Sequence, residues 1–377
     1  MDFLDFEEAR QRARRRLPRG VFEYIDRGTE AETAIAENRR ALDSARVVPR
    51  VLQGECKRDF SVRLFGREVH TPILVAPTAF AGLVRYRGDV ALAKAAAAAG
   101  SIFCAATESV VSLEDIVREA SGNTWFQLYL WERREDWEDL LDRAEALGID
   151  VLVLTVDTPV FPKKVFNVRN GFGLPMRFGP RNVMDVMSRP VWAADVLGRS
   201  LRTGELPQFA NYPASGRSSI LGRHQQTVRH QPGLSWEHVR QVRSRWKGKL
   251  LLKGILSPED ARMAKDHGAE GIVVSSHGMR NFDATVAPID QLPLVRDAVG
   301  DGLTILADSG VQRGSDVMKL LRAGADAVML GRAMLYALAA GGQAGAERMF
   351  SILDQEMRAA AMFAGWSGTS RAWSQSR

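Results

Sequence analysis

Short runs of consecutive apolar residues alternate with helical patterns from residue 70 onward. Strands that are buried on both faces read as continuous apolar runs, whereas amphipathic helices repeat their apolar residues every three to four positions. The predicted strands are Pro72–Ala76, Ile102–Ala105, Trp125–Tyr129, Val151–Val156, Leu250–Lys253, Gly271–Ser275, Leu303–Ala307 and Ala327–Leu330. The predicted helices between them are Val90–Ala99, Leu113–Ala120, Trp137–Leu147, Ser257–His267, Leu292–Val299 and Gly314–Ala323. Eight such alternations favour an α/β fold of the (β/α)8 TIM-barrel type over an open doubly wound sheet.

The pattern predicts one barrel domain over residues 1–377, with a long insertion after the fourth strand. Residues 1–70 precede the first strand and are predicted to form an N-terminal helical segment. The insertion contains residues 173–234, which are rich in Gly, Pro, Ser and Arg and are predicted to form a long loop or lid. Two short amphipathic helices are predicted within it, over Met184–Trp192 and Trp192–Leu201.

The basic charge of the chain is concentrated in this insertion. The formal net charge is +6, and residues 173–234 hold eight arginines against three acidic residues. An exposed basic segment of this kind suits peripheral contact with an anionic membrane surface, and it suits a mobile lid equally well. Nucleic-acid binding is not expected, because no interleaved aromatic residues or known motif accompany the arginines.

The cysteines and the N-terminus indicate where the protein works. Cys56 and Cys104 are far apart and lack CxxC spacing, which excludes a disulfide framework or a cysteine zinc site, so no metal is expected. The N-terminal residues are acidic and then basic, without the apolar stretch of a signal peptide. No segment approaches the ~18 apolar residues of a membrane span. We therefore expect a cytoplasmic protein, with peripheral contact at the inner face of the membrane left open.

Candidate site residues, most of them polar, lie at the ends of seven of the eight predicted strands, where a barrel places its active site. A charged cluster at one mouth is costly to bury without partners, so together these residues predict a functional site. They are Pro77, Thr78 and Ala79, then Gln127 and Tyr129, Thr155 and Asp157, Lys253, Ser275, His277 and Arg280, Asp308, Ser309 and Gly310, and Gly331 and Arg332.

The ends of the last two strands predict an anion site. Gly310 and Gly331 follow these strands, where barrels commonly bind phosphate through backbone N–H groups and a helix N-terminus. Arg332 could add a charge-assisted hydrogen bond. The residues themselves predict a phosphorylated ligand, of which FMN is one of several candidates.

The segment from Ser275 to Asp283, Ser-Ser-His-Gly-Met-Arg-Asn-Phe-Asp, resembles the signature of the FMN-dependent α-hydroxy-acid oxidase/dehydrogenase family. That family includes glycolate oxidase, L-lactate dehydrogenase and mandelate dehydrogenase. Further motifs match in order over essentially the whole chain: Phe22-Glu23-Tyr24, Glu37-Asn38-Arg39, Ala76-Pro77-Thr78-Ala79, Trp125-Phe126-Gln127-Leu128-Tyr129, Leu154-Thr155-Val156-Asp157-Thr158-Pro159, Lys253-Gly254-Ile255, Asp308-Ser309-Gly310 and Gly331-Arg332. The resemblance implies a barrel that uses FMN to oxidise a 2-hydroxy acid to a 2-oxo acid.

The resemblance also implies a cofactor-binding role for particular residues. Pro77, Thr78 and Ala79 would run near the flavin N5, Gln127 and Thr155 would bond its pyrimidine edge, and Lys253 would lie beside N1 and C2=O. Ser275 would contact the flavin and Asp308 the ribityl chain, while Ser309, Gly310, Gly331 and Arg332 would hold the phosphate.

The catalytic and substrate-binding roles are implied in the same way. Arg280 and Tyr24 would bind the substrate carboxylate, and Tyr129 would bond the oxygen on the reacting carbon. His277 would take the hydroxyl proton as a hydride leaves to flavin N5, a carbanion route being the alternative. Asp157 would orient His277 and stabilise its imidazolium.

Several positions depart from the family pattern on the substrate side. Lys164, within Pro162-Lys163-Lys164-Val165, stands where relatives carry an Arg that reaches the substrate, and it lacks the bidentate fork of a guanidinium. Glu108 stands where relatives often carry an aromatic residue, and a carboxylate there would favour a cationic or hydroxyl-bearing substrate. Ala106 replaces a hydroxyl residue, and Gln312 replaces an Arg near the phosphate. These departures predict an atypical substrate, bound in part by Glu108 and Lys164.

Other functions remain open from the sequence. An amine-bearing or peptide-derived substrate is the alternative reaction, favoured by Lys164 and Glu108 but opposed by Tyr24, Tyr129 and Arg280. A non-enzymatic barrel that binds FMN is disfavoured by the pairing of His277 with Asp157. The electron acceptor could be oxygen, a quinone or a protein carrier. The resemblance alone implies a homo-oligomer, in the form of a homotetramer.

Overall fold

The computed structural model describes residues 3–53, 59–160, 162–172, 179–213 and 228–368. Cys56 and part of the arginine-rich insertion lie outside these ranges. Within them, none of the helices combines the length and apolar character needed to cross a membrane. The same ranges contain no group of three or more His, Cys, Asp or Glu residues suited to a metal ion.

Three helices and a β-hairpin make up the N-terminal segment. They are α1 (Phe6–Arg16), α2 (Arg19–Asp26), α3 (Thr33–Ser44), β1 (Val62–Leu64) and β2 (Arg67–Val69). The helical prediction for residues 1–70 is therefore wrong over the hairpin. Its strands are antiparallel, and Phe65 and Gly66 between them both have positive φ, at 50° and 85°. Two residues of positive φ form the short loop whose twist suits a hairpin.

Eight parallel strands close into a barrel, which confirms the predicted fold class. The strands are β3 (Ile73–Val75), β4 (Ile102–Ala106), β5 (Asn123–Leu128), β6 (Val151–Thr155), β7 (Lys249–Ile255), β8 (Gly271–Val274), β9 (Thr304–Ala307) and β10 (Ala327–Leu330). They pair in chain order, and β10 pairs with β3, with Val328 opposite Ile73. Five of the strands are buried at every residue, and β5, β7 and β9 at most of theirs, because helices cover the outer face of the barrel.

Helices surround the barrel, and the insertion after β6 contributes further short ones. After α3 they are α4 (Ala81–Val84), α5 (Gly88–Ala98), α6 (Leu113–Ala120), α7 (Arg134–Ala146), α8 (Val165–Arg169), α9 (Pro180–Met187), α10 (Pro190–Trp192), α11 (Arg199–Thr203), α12 (Trp236–Arg245), α13 (Pro258–Asp266), α14 (Pro288–Val299), α15 (Gly314–Ala323) and α16 (Arg332–Phe363). A π-helical segment, Ala193–Gly198, joins α10 to α11, and a 3-10 turn, Gly300–Gly302, follows α14. The backbone of α16 bends at Gly342, whose φ is +66°.

The barrel interior and the helical layer form separate apolar clusters. The interior cluster includes Leu74, Cys104, Trp125, Val153, Leu251 and Met329, which alternate with outward-facing strand residues. The β1–β2 hairpin joins this cluster at the amino-terminal end of the barrel, where the Phe65 ring lies 5.7 Å from that of Trp125. With this end closed by apolar side chains, a polar cavity can form only at the opposite end.

The insertion is anchored to the helical layer in its described part. Trp192 is buried, and its Nε1 donates a hydrogen bond to the carbonyl of Leu83 at 2.7 Å. The prediction of one helix over Met184–Trp192 is wrong, because α9 ends at Met187 and α10 begins at Pro190. Arg189 is non-helical, with φ −121° and ψ 60°, because proline disfavours the helical conformation of the residue before it. Residues 173–178 and 214–227 lie outside the described ranges, so the lid over 173–234 stays a prediction.

Candidate active site

A cavity of about 430 Å³ lies at the carboxyl-terminal ends of the barrel strands. Residues within or directly after the carboxyl-terminal part of each of the eight strands line it, and its volume lies within the roughly 300–1,000 Å³ typical of small-molecule sites. The predicted site residues that line it are Tyr24, Pro77, Thr78, Ala79, Glu108, Gln127, Tyr129, Thr155, Lys164, Lys253, His277, Arg280, Asp308, Ser309, Gly310, Gly331 and Arg332. Residues that were predicted from separate motifs therefore share one cavity.

Two predicted residues do not line the cavity. Ser275 is fully buried, and its hydroxyl accepts hydrogen bonds from Lys253 Nζ at 2.9 Å and from the backbone N–H of His277 at 3.0 Å. The Ser275 hydroxyl therefore positions Lys253 and His277, and its contact with the flavin stays a prediction. Asp157 bonds the His277 ring, which does line the cavity.

His277 is held between an acid and a phenol. Its Nδ1 lies 2.9 Å from Asp157 Oδ1, and its Nε2 lies 3.2 Å from the hydroxyl of Tyr129. Burial alone would raise the pKa of Asp157, but His277 and Lys253 hold it below its ordinary value. Asp157 is therefore ionised, and it favours the His277 tautomer that carries a proton on Nδ1. In that tautomer Nε2 carries a lone pair that can accept the hydrogen bond from the Tyr129 hydroxyl, and both residues line the cavity.

The turn after β8 fixes the direction of the His277 side chain. His277, Gly278 and Met279 have positive φ values of 56°, 63° and 60°. The Ser309 hydroxyl accepts hydrogen bonds from the backbone N–H groups of Ser276 and Gly278, at 3.3 and 3.0 Å. This strained turn thus depends on a residue from the neighbouring strand.

Asn281 holds the loop that carries Asp157, and sequence reasoning gave it no separate role. Its Nδ2 donates to the carbonyl of Asp157 and to the hydroxyl of Thr158, both at 2.9 Å. The amide therefore fixes the backbone of Asp157 relative to the His277 turn. The only sequence signal for this role was the position of Asn281, four residues after His277.

The carboxyl-terminal end of α2 orients two guanidinium groups. Arg280 Nη1 donates to the carbonyls of Tyr24 at 2.6 Å and Arg27 at 3.0 Å, and Arg332 Nε donates to the carbonyl of Ile25 at 3.0 Å. Cations are favourable at this end of a helix because its last carbonyls are unsatisfied. Both side chains line the cavity, so the helix end places two positive charges there.

Lys164 adds a third cation beside Arg280. Its Nζ lies 5.8 Å from the centre of the Tyr24 ring, and the Arg280 guanidinium lies 4.8 Å from the same ring. Burial and the charge of Arg280 lower the pKa of Lys164 to about 7. Burial raises the pKa of Tyr24 to about 12, so its hydroxyl stays protonated. This end of the cavity is suited to a carboxylate.

A buried ion pair forms the floor of the cavity. Lys253 Nζ lies 3.1 Å from Asp308 Oδ2, and both side chains are more than nine-tenths buried. Burial alone would lower the pKa of Lys253, but Asp308 and Asp157 hold it above its ordinary value. Asp308 also accepts a hydrogen bond from the Ser309 hydroxyl at 2.7 Å. Lys253 is therefore a fixed positive charge at the centre of the barrel.

One end of the cavity has unsatisfied donors that suit a phosphate. Arg332 Nη2 is buried and has no hydrogen-bond partner in the described part of the chain. α16 begins at Arg332, so its first backbone N–H groups also lack partners within the helix. A Cβ on Gly310, whose φ is +82°, would lie 2.0 Å from Asn38 Nδ2, so only glycine fits there.

The other end of the cavity has donors and acceptors that suit the polar edge of a flavin ring. Gln127 Nε2 donates to the Thr155 hydroxyl at 3.0 Å, and both residues line the cavity beside Lys253. Pro77 and Ala79 supply apolar surface nearby. An amide, a hydroxyl and a cation at one end and an unsatisfied guanidinium nitrogen at the other fit FMN.

The wall after β4 carries a carboxylate surrounded by aromatic residues. Glu108 Oε1 accepts a hydrogen bond from the Tyr212 hydroxyl at 3.4 Å and lies 3.5 Å from His230 Nε2. The His230 ring stacks on Tyr129 at 4.8 Å. Tyr212 and His230 belong to the insertion, and sequence reasoning missed both because no local pattern links them to the barrel mouth.

Comparisons with known proteins agree with this geometry. The sequence model of the FMN-dependent dehydrogenase family matches residues 13–374. L-lactate dehydrogenase of Caulobacter vibrioides (strain NA1000 / CB15N) is 40% identical over 96% of this chain and 93% of its own. L-lactate dehydrogenase of Pseudomonas syringae pv. syringae (strain B728a) is 38% identical, over 94% and 93%.

Solved structures are similar over nearly the full length. The monotopic membrane protein (S)-mandelate dehydrogenase superposes with a TM-score of 0.90 and 33% identity, covering 98% of both chains. Mandelate oxidase with (S)-2-phenylpropionate gives a TM-score of 0.82 and 34% identity, covering 97% of this chain and 96% of that one.

Proposed function

The chain belongs to the FMN-dependent dehydrogenase family and oxidises a 2-hydroxy acid with FMN, and we propose that His277 is the base of this reaction. The observation that carries the proposal is the placement of His277 Nε2, which faces the cavity while Nδ1 bonds the ionised Asp157 at 2.9 Å. Nε2 takes the proton of the substrate's α-hydroxyl, and Asp157 stabilises the imidazolium that results. When bound, FMN accepts the two electrons released as the C–H bond breaks.

Tyr129 completes the catalytic group. Its hydroxyl lies 3.2 Å from His277 Nε2, so a substrate hydroxyl that binds beside this pair can contact both. Burial raises the pKa of Tyr129 well above its ordinary value, so the phenol remains a donor. It can therefore stabilise negative charge on the substrate oxygen as the proton leaves.

Arg280, Tyr24 and Lys164 bind the carboxylate of the substrate. They form the cationic end of the cavity, and Arg280 is fixed by three backbone carbonyls at the α2 end, those of Tyr24, Ile25 and Arg27. One guanidinium edge is used by those carbonyls, which leaves the rest of the group for the ligand. The substrate is thereby held with its α-carbon near His277.

FMN is held by the cavity residues whose donors suit it. Gln127, Thr155 and Lys253 bind the polar edge of the ring, with Pro77, Thr78 and Ala79 alongside. Asp308, which Lys253 and Ser309 hold in place, contacts the ribityl chain. The phosphate is bound by Ser309, Gly310, Gly331 and Arg332, and the unsatisfied Arg332 Nη2 supports this assignment.

Anaerobic mixing of the purified holoenzyme with 2-hydroxy acids tests the assignment of His277. We expect the oxidised flavin absorbance to bleach with the wild-type enzyme. The H277N variant should keep its flavin and lose bleaching, since the amide cannot take the proton. Bleaching of H277N at the wild-type rate would contradict the role of His277, and no bleaching of the wild type by any 2-hydroxy acid would contradict the reaction itself.

We also propose that the α9–α10 surface contacts membranes peripherally. Val183, Met184, Met187 and Val191 are exposed there, between 48% and 74%. Arg181, Arg199 and Arg202 are exposed in the same stretch of the insertion. Apolar side chains flanked by exposed arginines suit the boundary of an anionic bilayer. The similarity to a monotopic membrane protein supports this proposal.

Co-sedimentation with vesicles tests this contact. We expect the protein to bind vesicles that contain phosphatidylglycerol at low salt and to bind vesicles of phosphatidylcholine less. The M184S/M187S double variant should bind less than the wild type while its activity in solution is kept. Absence of binding to anionic vesicles at low salt would contradict the proposal.

A further inference from the structure

Glu108 is a carboxylate on the wall of a cavity that also contains the cationic side chains of Lys164 and Arg280. Its side chain is 15% exposed, and it lines the same cavity as His277, Lys164 and Arg280. Among the residues that the structure describes, no ion pair joins Glu108 to Lys164 or Arg280. The cavity therefore has one end for an anionic group and a separate wall that attracts a donor.

The Glu108 carboxylate keeps unused acceptor capacity. Its contacts with Tyr212 and His230 both involve Oε1. Oε2 receives no hydrogen bond from any described residue. Because a carboxylate offers about four acceptor positions, a donor on a ligand can form a hydrogen bond with Oε2.

A short chain of contacts links Glu108 to the reacting centre. Tyr129 bonds His277 through its hydroxyl at 3.2 Å, and its ring stacks on His230 at 4.8 Å with an interplanar angle of 21°. His230 in turn lies 3.5 Å from Glu108. Glu108 is therefore linked to His277 through the His230 and Tyr129 rings, and all four residues line the same cavity.

Resting on the proposed function, we propose that Glu108 accepts a hydrogen bond from a hydroxyl or ammonium group on the substrate's side chain. The preferred substrates are then 2-hydroxy acids with a donor close to the α-carbon. A plain alkyl side chain leaves Oε2 unpaired, and a second carboxylate is repelled. Glu108 is therefore a specificity-determining residue, and it takes no part in the bond-breaking step.

The first test compares substrates that differ by one group. Lactate and 2,3-dihydroxypropanoate share the 2-hydroxy acid and differ by a single side-chain hydroxyl. We expect kcat/KM for the dihydroxy acid to exceed that for lactate by about tenfold or more, since only the dihydroxy acid can donate a side-chain hydrogen bond to the Glu108 carboxylate. We expect 3-amino-2-hydroxypropanoate also to exceed lactate, and 2-hydroxymalonate to fall below it.

The E108Q variant separates charge from hydrogen bonding. The amide keeps an acceptor oxygen, so part of the preference for 2,3-dihydroxypropanoate over lactate should survive. The preference for 3-amino-2-hydroxypropanoate over lactate should be lost, because the negative charge is gone. The matched control is E135Q, because Glu135 is exposed on α7, away from the cavity. It should keep the wild-type ratios, and flavin content and circular dichroism report whether E108Q is folded.

Product binding makes the test independent of turnover. Calorimetry on the oxidised holoenzyme compares pyruvate with 3-hydroxypyruvate, and we expect tighter binding of 3-hydroxypyruvate that E108Q reduces. If no 2-hydroxy acid bleaches the flavin, the proposed function is wrong, but this binding ratio still decides the role of Glu108. Equal kcat/KM for the two acids, or ratios that E108Q leaves unchanged, would overturn the inference while 2-hydroxy-acid oxidation stands.

Discussion

Asp157 Oδ1 lies 2.9 Å from His277 Nδ1, although the two residues are 120 positions apart in the chain. Asp157 follows β6 and His277 follows β8, so β7 separates the strands that carry them. The Asp157 backbone is held in turn by Asn281 Nδ2 at 2.9 Å. The barrel thus assembles a base, its acid partner and a positioning amide from two loops.

The D157N variant should lose most of its activity. An amide cannot stabilise the His277 imidazolium, and its NH2 group disfavours the tautomer with a proton on Nδ1. By analogy with other acid–histidine pairs, we expect kcat/KM to fall roughly 10²- to 10⁴-fold. Stopped-flow bleaching of the flavin measures the loss, with D139N, at an exposed position of α7, as the control. An unchanged rate with a full complement of flavin would show that Asp157 is dispensable.

The Y129F variant should lower kcat more than it raises KM. The phenol contacts the group that changes charge, so its stabilisation develops in the transition state. We expect a loss of roughly ten- to a hundredfold in kcat. Y86F is the control, because the Tyr86 hydroxyl bonds Glu205 at the surface. A change confined to KM would instead indicate that Tyr129 only binds the substrate.

Lys164 should make KM depend on pH. Its pKa of about 7 means that it is cationic below that pH and neutral above it, in an enzyme without substrate. A carboxylate binds the cationic form, so KM should rise above pH 7, by up to about tenfold per pH unit. K164R should remove this dependence because a guanidinium stays charged, and K164M should show a high KM throughout.

The matched control for this pH dependence is the neighbouring lysine. Lys163 is exposed, so K163R should keep the wild-type profile. Steady-state kinetics with one 2-hydroxy acid across the pH range gives KM for each variant. A K164R profile that still bends near pH 7 would assign the titration to another group.

The K253M variant should be less stable and hold less flavin. Removing the ammonium leaves Asp308 buried without its cation, which costs roughly 3–5 kcal/mol of unfolding free energy. The K253M/D308N double variant should recover stability without recovering flavin binding. Thermal unfolding and the ratio of flavin to protein absorbance measure the two effects. A K253M protein with wild-type flavin content would argue against a cofactor role for Lys253.

Much of the fold was determined by local sequence pattern. All eight barrel strands were predicted within two residues of their observed bounds, because strands covered on both faces must be continuously apolar. The hairpin of β1 and β2 was missed, since its strands are only three residues long and its signal is mainly the loop at Phe65 and Gly66. The break before Pro190 was available from the sequence and was overlooked.

The main residues of the site could also be predicted from the sequence, because the barrel topology brings the carboxyl-terminal end of every strand to one face. The sequence by itself determined that His277, Asp157, Lys253 and Arg280 share a site. Their partners depended on the tertiary structure. The carbonyls of α2 that orient Arg280, and the engagement of Ser275 by Lys253, come from side-chain directions that no spacing encodes.

The surroundings of Glu108 show this division most clearly. The sequence indicated an unusual carboxylate near the substrate, but His230 and Tyr212 lie more than a hundred residues away in an insertion without a regular pattern. Only the folded chain places them on the Glu108 wall. Local periodicity reports which face of an element is buried, whereas contacts between a loop and a distant strand depend on how the whole chain packs.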